Sequence, residues 1–403
     1  MPTTTQTPLH LQLTENQPTP NIHLTPTQVH NLQTSELVTL TPEHPTNTWT
    51  LTPRNHVGVA RIGKHHPIEL RITPTIPIPR LLFLLGYAED LTGWQDGNVN
   101  VAPNTDLHIA MATAFERAAT RATEQGLIQG YTTIEEATPV LRGRLRTDEQ
   151  LQRRFGLPMP LEIRYDDYNV DTPENRILRA TTDRLLRLPN LPAPTRTALH
   201  RLTLLMADVP HRLTSNNPPH WRPSRLNTRY IPALRLGELI LKNASIDAHH
   251  GPTPTDGFLL NLPDLFTRFI TKALTKATPT HHGTLEQQNS QWLDQEHTIK
   301  INPDLLWHTT PTTPNAAINA TYPTPETTNP HTDIHQMLTY CTRLNLNHGH
   351  LIYPHTTNTT SHHHITGTNI TIHQHGLDLT ADPTTLLQHI NDLAHALTTP
   401  HHP

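Results

Sequence analysis

Asp304 follows a proline in INPDLLW, and the later run AAINATYP offers Asn319 and Thr321 at alternate positions of a second expected strand. Alternation puts such a pair on one side of a sheet. A phosphodiesterase that works through a divalent cation needs two carboxylates to fix the metal against the scissile phosphate. It also needs a lysine to orient the water and offset the charge of the transition state. Asp304 supplies one carboxylate; Asn319 is a neutral amide whose carbonyl oxygen coordinates weakly, and Thr321 is uncharged and too short to replace a lysine. In DIHQMLTYC, Gln336 and Tyr340 stand one helical turn apart and share a face. The spacing is that of a metal site, and the residue types are those of one that has lost charge.

Other chemistries find less support. His249-His250, His281-His282, His362-His363-His364 and His401-His402 form clusters, and His373 and His375 alternate on an expected strand. None has an acidic or cysteine partner at a diagnostic metal-ligand spacing. The phosphate-cradling GxxxxGK[ST] loop and the Gly-x-Ser-x-Gly elbow are absent. Cys341 lies on the apolar face of its helix and reads as core. Arg142, Arg144 and Arg146 alternate in VLRGRLR, so on a strand they would share one face. That stripe suits phosphates or an acidic partner, and equally a charged edge that discourages aggregation. Glu174 and Arg176 are accounted for by helix capping and a surface ion pair.

The elements that must position these residues are legible from periodicity. Between Asn21 and Leu85, LVTLTP, TWTLTP, VGVARIG and IELRITP alternate as half-buried strands do. Thr25 is placed to cap a short helix with Pro26 in its first turn. IPRLLFLLGYA starts a buried helix, and Leu107, Met111, Ala114, Ala118 and Ala122 mark an amphipathic one ending near Gly126. Asp171 or Thr172 caps a helix whose buried stripe is Ile177, Leu178, Leu185 and Leu186. PAPTRTALHRLTLLMADV and the run from Pro232 to about Lys242 are two more helices. From Gly257 the expected order is helix, strand, hairpin, strand, helix, strand, with two further strands and a closing helix. Three segments result: residues 1–160, β-rich and helical; 161–250, a helical connector; and 251–403, a mixed domain carrying Asp304.

Composition narrows the class. The length of 403 residues accommodates two or three cores. Thr, Pro, His and Asn dominate the loops, and their codons all begin with two bases drawn from A and C. A base-composition skew explains that bias, and the same skew turns Asp into Asn and Lys into Thr. The formal net charge is -4, so the overall field does not announce a nucleic-acid binder. Arginine crowds the stretch from Arg117 to Arg235, and after Lys300 the sole Lys or Arg is Arg343. One cysteine excludes an intramolecular disulfide. The chain has no apolar run near the roughly 20 residues a bilayer requires, and MPTTTQTPLHLQL lacks the pattern of a signal peptide. A cytoplasmic protein is the expectation.

In this order, VGVARIG, IPRLLFLLGYA, IQGY, VLRGRLR, RYDDYNVDTPENRILRA, RLNTRYIPALRLGELIL, FLLNLPDLFTRFI, the Pro-Asp of INPDLLW, and QMLTYC resemble the McrC family. That family supplies the nuclease subunit of McrBC methylcytosine-dependent restriction systems. The resemblance runs from about Val57 to Tyr353 and implies an α+β or α/β multidomain chain. Its parts would be an N-terminal β-rich docking domain, a helical connector and a C-terminal restriction-endonuclease-like (PD-(D/E)XK) domain. It implies a hexameric McrB-type AAA+ GTPase as partner, which binds the GTP, together with DNA as substrate, Mg2+ at the nuclease site and no membrane. Under that resemblance Asp304 matches the first metal-binding acid. Asn319 falls where the family has its second Asp, Thr321 at the catalytic Lys, Thr267 where Glu is usual and Asn261 where Asp is common. Gln336 and Tyr340 keep the pattern.

Two readings follow. In one the chain is an endonuclease subunit of a 5-methylcytosine restriction system, a phage-defence function. In the other it is a nuclease-dead relative that binds and stimulates a GTPase partner. Neutralising two acids and removing a lysine favours little or no cleavage.

Overall fold

The computed structural model describes residues 8–44, 48–63, 66–91, 106–155, 157–210, 218–243, 255–278, 283–287, 290–310, 313–323, 330–355 and 359–398. Contacts divide the chain into two compact units, residues 1–108 with 246–403, and residues 109–245. The units therefore do not follow the chain-order segments 1–160, 161–250 and 251–403.

The first unit begins with β1 (Leu9–Thr14), β2 (Thr19–Ile22), α1 (Pro26–Ser35), β3 (Val38–Glu43), β4 (Thr48–Pro53), β5 (His56–Ile62), β6 (Ile68–Thr73) and α2 (Ile78–Ala88). Thr25 caps α1 in a reciprocal capping box with Gln28, and Pro26 opens the helix as its sequence predicts. β2, β4 and β3 form one antiparallel sheet, while β1, β6 and β5 form another that a strand from far along the chain completes.

The second unit holds α3 (Leu107–Thr123), β7 (Gly130–Thr138), β8 (Arg144–Leu145), α4 (Thr147–Arg154), β9 (Leu161–Asn169), α5 (Pro173–Leu186), α6 (Ala193–Leu205) and α7 (Ile231–Asn243). Its core is helical: Phe115, Ile177, Leu178, Leu185, Leu199 and Leu234 are fully buried. Gly237 lets α7 approach α5, because a Cβ there would lie 3.0 Å from Ile177 Cγ2 and 2.9 Å from Thr181 Oγ1. Thr172, not Asp171, caps α5. Glu174 accepts from Asn227, and Arg176 pairs with Asp171, in keeping with their structural reading. Apart from the helices, β7 and β9 run antiparallel for nine residue pairs, with two-residue β8 on the other edge of β9.

The chain then returns to the first unit with β10 (Thr255–Asn261) and α8 (Leu262–Ala277). β10 pairs antiparallel with β5 from Thr255↔Ile62 to Asn261↔His56, so residues 255–261 complete the sheet begun at Leu9. Two glycines sit in this pairing. A Cβ on Gly257 would lie 2.2 Å from the Val59 carbonyl oxygen, and one on Gly58 2.1 Å from that of Phe258. α8 buries Phe266, Phe269, Ile270 and Leu274, and Phe269 meets Phe83 and Tyr87 of α2 edge-on. Each fully buried aromatic of this kind contributes about 1.5–3 kcal/mol of transfer free energy.

After α8 come β11 (Thr284–Gln287), β12 (Gln291–Trp292), β13 (Lys300–Ile301), β14 (Leu305–Thr310), β15 (Thr313–Ala320), α9 (Pro330–Leu344), β16 (His348–His355), β17 (Thr360–His364), β18 (Thr371–Asp378) and α10 (Pro383–Thr398). β12 and β13 form a small hairpin, and the remaining strands make a mixed sheet ordered β11-β14-β15-β16-β18-β17. β15, β16 and β18 are parallel, and α9 connects the first two of them. INPDLLW is not one strand. Pro303 has no N–H to give a ladder, so the chain leaves the β12–β13 hairpin there and enters the large sheet at Leu305. Asp304 stands immediately before β14 rather than on it. One face of the sheet packs α9 through Ala317, Leu351 and Ile372 against Met337, Tyr340 and Cys341. No helix among the described residues is long and apolar enough to cross a membrane.

Because the β5–β10 contact leaves no room for a side chain, Gly257→Ala should lower stability by about 1–3 kcal/mol. Chemical denaturation measures this; a variant as stable as the parent contradicts the pairing.

Candidate functional site

The ends of β14 and β15 meet through a reciprocal clasp. The Asp304 backbone N–H donates to Asn319 Oδ1 at 3.0 Å, and the Ala320 N–H donates to Asp304 Oδ2 at 2.9 Å. Burial raises the Asp304 carboxyl above its ordinary range, with the Ala320 N–H opposing that shift. Behind β15, the Thr267 hydroxyl on α8 donates to the Ala320 carbonyl at 3.2 Å. From α9 the Tyr340 hydroxyl donates to the Asn302 carbonyl at 3.4 Å and interacts with the side chains of Asn319 and exposed Gln336. Asp304, Asn319, Tyr340 and Gln336, picked out by spacing, and Thr267, picked out by the resemblance, therefore converge.

Thr321 lies one step beyond the end of β15. Its N–H continues the ladder to the Ile352 carbonyl at 2.9 Å. The next residue anchors it: the Tyr322 hydroxyl donates to buried Glu15 Oε1 at 2.7 Å, and the Tyr322 ring meets Phe266 edge-on. Alternation keeps Thr321 on the α9 side with Asn319, where it lines a cavity of about 350 Å³ with Asp333, Tyr353 and Gln374. Asp333 accepts from the Tyr353 hydroxyl at 3.1 Å, and burial raises its carboxyl. Sequence spacing did not single out Asp333 or Tyr353; they reach this place only through the α9–β16 packing. Asn261 caps α8, its side chain accepting from the Asp264 N–H at 3.0 Å.

A divalent cation does not fit this donor set. Asp304 is the one carboxylate of the clasp, with one oxygen engaged by Ala320. The Asn319 oxygen already serves the Asp304 N–H. The Thr267 hydroxyl is turned to a backbone carbonyl. Among the described residues no group of three or more His, Cys, Asp or Glu is arranged to hold a metal. Mg2+ requires near-octahedral oxygen ligation with charge to match.

The arginine stripe takes a different form from the one that alternation predicts. Only Arg144 is on a strand, and Arg142 precedes Gly143, whose φ of +67° turns the chain. Arg146 stands just before α4, paired with Glu135 at 3.0 Å and with Glu149. Arg142 and Arg144 remain exposed, whereas Arg146 is committed to carboxylates.

The histidines form a ladder on the sheet face opposite α9. His350 and His373 stack with ring centroids 4.7 Å apart, and ring nitrogens approach at 3.2 Å in His348–His373 and 3.1 Å in His350–His375. His373 and His375 do share a face, as their alternation predicts. His362, His363 and His364 are exposed on β17; the clusters at 249–250, 281–282 and 401–402 lie outside the described residues. Burial pushes His375 down to about 4. Cys341 is core, its thiol pushed up to about 12 by burial.

The family profile described as "McrBC 5-methylcytosine restriction system component" matches residues 51–354, well over half the chain. The chain belongs to the McrBC family. Its fold is similar to that of a chain in the refined half-complex from the tetradecameric assembly of Thermococcus gammatolerans McrB AAA+ hexamers with bound McrC. That likeness has a TM-score of 0.63 at 16% identity and covers 96% of this chain and 100% of that chain. A chain of the cryo-EM structure of the Thermococcus gammatolerans McrBC complex matches with a TM-score of 0.41 at 18% identity, over 66% of this chain and 88% of that one. No curated protein matches. The mixed α/β architecture with several sheets is consistent with an McrC-like fold in this family.

His375 is neutral in the fold and would bind a proton readily once unfolded. Its contribution is thus present above pH 6.5 and is lost as pH falls from there towards 4, on the order of 3 kcal/mol in all. His375→Gln should flatten that part of the stability-against-pH curve, read by denaturant titration at pH 7.5, 6, 5 and 4. An unchanged slope would sink the assignment.

Proposed function

We propose that the chain is the McrC-type component of a GTP-dependent restriction system directed at DNA carrying 5-methylcytosine. It docks on an AAA+ GTPase ring of the McrB type in the cytoplasm, and its nuclease-fold region does not cleave. The order of α8, β14, β15, α9 and β16 supports reading residues 251–403 as a former PD-(D/E)XK nuclease core. The observation that carries the loss of cleavage is the clasp. Asn319 Oδ1 accepts the Asp304 N–H and Asp304 Oδ2 accepts the Ala320 N–H, leaving one carboxylate oxygen where a metal site needs two charged side chains. Thr321 has no ammonium to offset charge on the phosphate.

The docking reading has its own support. Among the described residues, nine of the thirteen exposed large apolar side chains fall between Tyr131 and Tyr168, on or beside β7, α4 and β9. Val140, Leu141, Phe155, Leu157 and Met159 are each more than half exposed, Phe155 at 90%. A run of exposed apolar side chains this dense in one stretch of chain marks a protein–protein surface. The match in fold to a chain from an assembly of McrB AAA+ hexamers with bound McrC makes the ring the natural occupant.

Mixed with its AAA+ partner, the chain should raise GTP turnover yet produce no Mg2+-dependent double-strand breaks in methylated DNA. Breaks abolished by Asp304→Ala would overturn the nuclease-dead reading. Asn319→Asp combined with Thr321→Lys and Thr267→Glu should restore cleavage if the frame alone is preserved; the gel assay that scores parent and triple variant side by side decides.

Docking is tested separately. Phe155→Asp with Leu141→Asp should weaken partner binding at least tenfold, as loss of central apolar anchors does. Retained affinity in a titration by analytical ultracentrifugation would place the interface elsewhere.

A further inference from the structure

Between residue 277 and the C-terminus the sequence has two Lys or Arg residues, Lys300 and Arg343. They are far apart in sequence, on β13 and near the end of α9, yet both reach Trp292. The Lys300 ammonium sits over the indole at 4.9 Å from its centroid, and Arg343 Nε donates to the Trp292 carbonyl at 2.7 Å. Neither forms an ion pair among the described residues. The exposed imidazole of His297 stacks on Trp292, with centroids 5.3 Å apart and rings 25° from parallel. Trp292, His297 and Arg343, with Ser290 and Asp294, border an open groove of about 710 Å³, and Lys300 adjoins it through its contact with the Trp292 ring. Asp294 is the acid of this groove. It is spent on the turn, where it accepts from the N–H groups of Thr298 and Ile299 at 3.0 and 2.8 Å.

The groove adjoins the Asp304 clasp. Ser290 donates to the Asn302 side chain, and the Asn302 carbonyl accepts from Tyr340. Along α9, Asp333, Gln336, Tyr340 and Arg343 recur at three- and four-residue spacing, a single stripe. That stripe spans about 15 Å at 1.5 Å per residue, the length of two or three extended nucleotides. It runs from the cavity beside Thr321, past the clasp, to the groove at Trp292.

We propose that the Trp292–His297–Lys300–Arg343 groove binds single-stranded nucleic acid, with one base on the outer face of His297 and adjacent phosphates on Lys300 and Arg343. Stacked rings accept any base, because every base has a π-face, and cations beside them neutralise the backbone. A duplex presents no free base face here, and two cations are few for its charge density. The inference rests on reading the chain as a DNA-handling subunit, but it requires neither docking nor cleavage. It is therefore measured on the full chain without any partner.

The probe is a fluorescein-labelled 12-mer of mixed sequence, read by anisotropy at several salt concentrations. Against the parent, His297→Ala should weaken binding about fivefold or more, and His297→Tyr should restore it, since stacking is worth at least that factor per base. Lys300→Gln and Arg343→Gln should each shallow the log–log salt slope by about 0.7. Comparing each variant with the parent cancels any contribution from Arg142 and Arg144. Absence of binding by the parent at about 50 mM salt overturns the proposal, and so do variants with the parent's affinity and slope. A duplex or a free mononucleotide bound as tightly as the 12-mer also overturns it, in favour of an unspecific surface or a nucleotide pocket.

Discussion

The pairing of β5 with β10 is the contact on which the first unit depends. It brings residues 255–261 back to a sheet begun at Leu9 after the whole second unit has intervened. Gly58 and Gly257 make it close, since either side chain would collide with backbone across the pair. The consequence reaches the site directly. β10 runs into α8 at Asn261, whose side chain caps the helix, and α8 delivers Thr267 to the Ala320 carbonyl and Phe266 to the Tyr322 ring. Tyr322 in turn hydrogen-bonds Glu15, at the end of β1 in the same sheet. The segment carrying Asn319, Ala320 and Thr321 is thus held from both sides by parts of the chain remote in sequence. A frame fixed this way does not depend on charge at Asn319 or Thr321.

The clasp lies inside that frame. Asn319 keeps one function that an aspartate would also serve, accepting the Asp304 N–H, so the backbone geometry costs nothing to retain. What the amide cannot do is share a divalent charge. Burial raises the Asp304 carboxyl, and the Ala320 N–H opposes that shift. The packing depends on hydrogen bonds that neutral side chains make as well as charged ones, whereas phosphoryl chemistry depends on the charge itself.

Much of this was legible in the sequence, for identifiable reasons. The Thr25 and Thr172 caps, the α2 and α9 apolar faces and the alternation of Asn319 with Thr321 are local, and local periodicity reads them. The same logic failed where a tertiary contact or a special backbone intervened. Gly143, at positive φ, breaks the arginine stripe, and Glu135 and Glu149 draw Arg146 away from solvent. Pro303 splits INPDLLW between two sheets. Asp333 and Tyr353 meet through the helix–strand packing of α9 on β16. The division into compact units was hidden because composition changes along the chain, whereas β10 joins its partner across it.

Charge geography then separates the two units. Arginine, the guanidinium that pairs bidentately with carboxylates and phosphates, is concentrated in the second unit, and there much of it is spent internally: Arg146 and Arg164 on Glu135, Arg154 on Glu162, Arg176 on Asp171. These pairs brace the β7–β9 sheet and the start of α5, whose neighbourhood exposes apolar rather than basic surface. In the first unit the acids just after α2 are likewise met, Glu89 by Arg268 and Asp90 by Lys272 and Lys276. Among the described residues the couple at Trp292 forms no ion pair: Lys300 lies over the indole and Arg343 Nε donates to the Trp292 carbonyl, beside the Asp304 clasp.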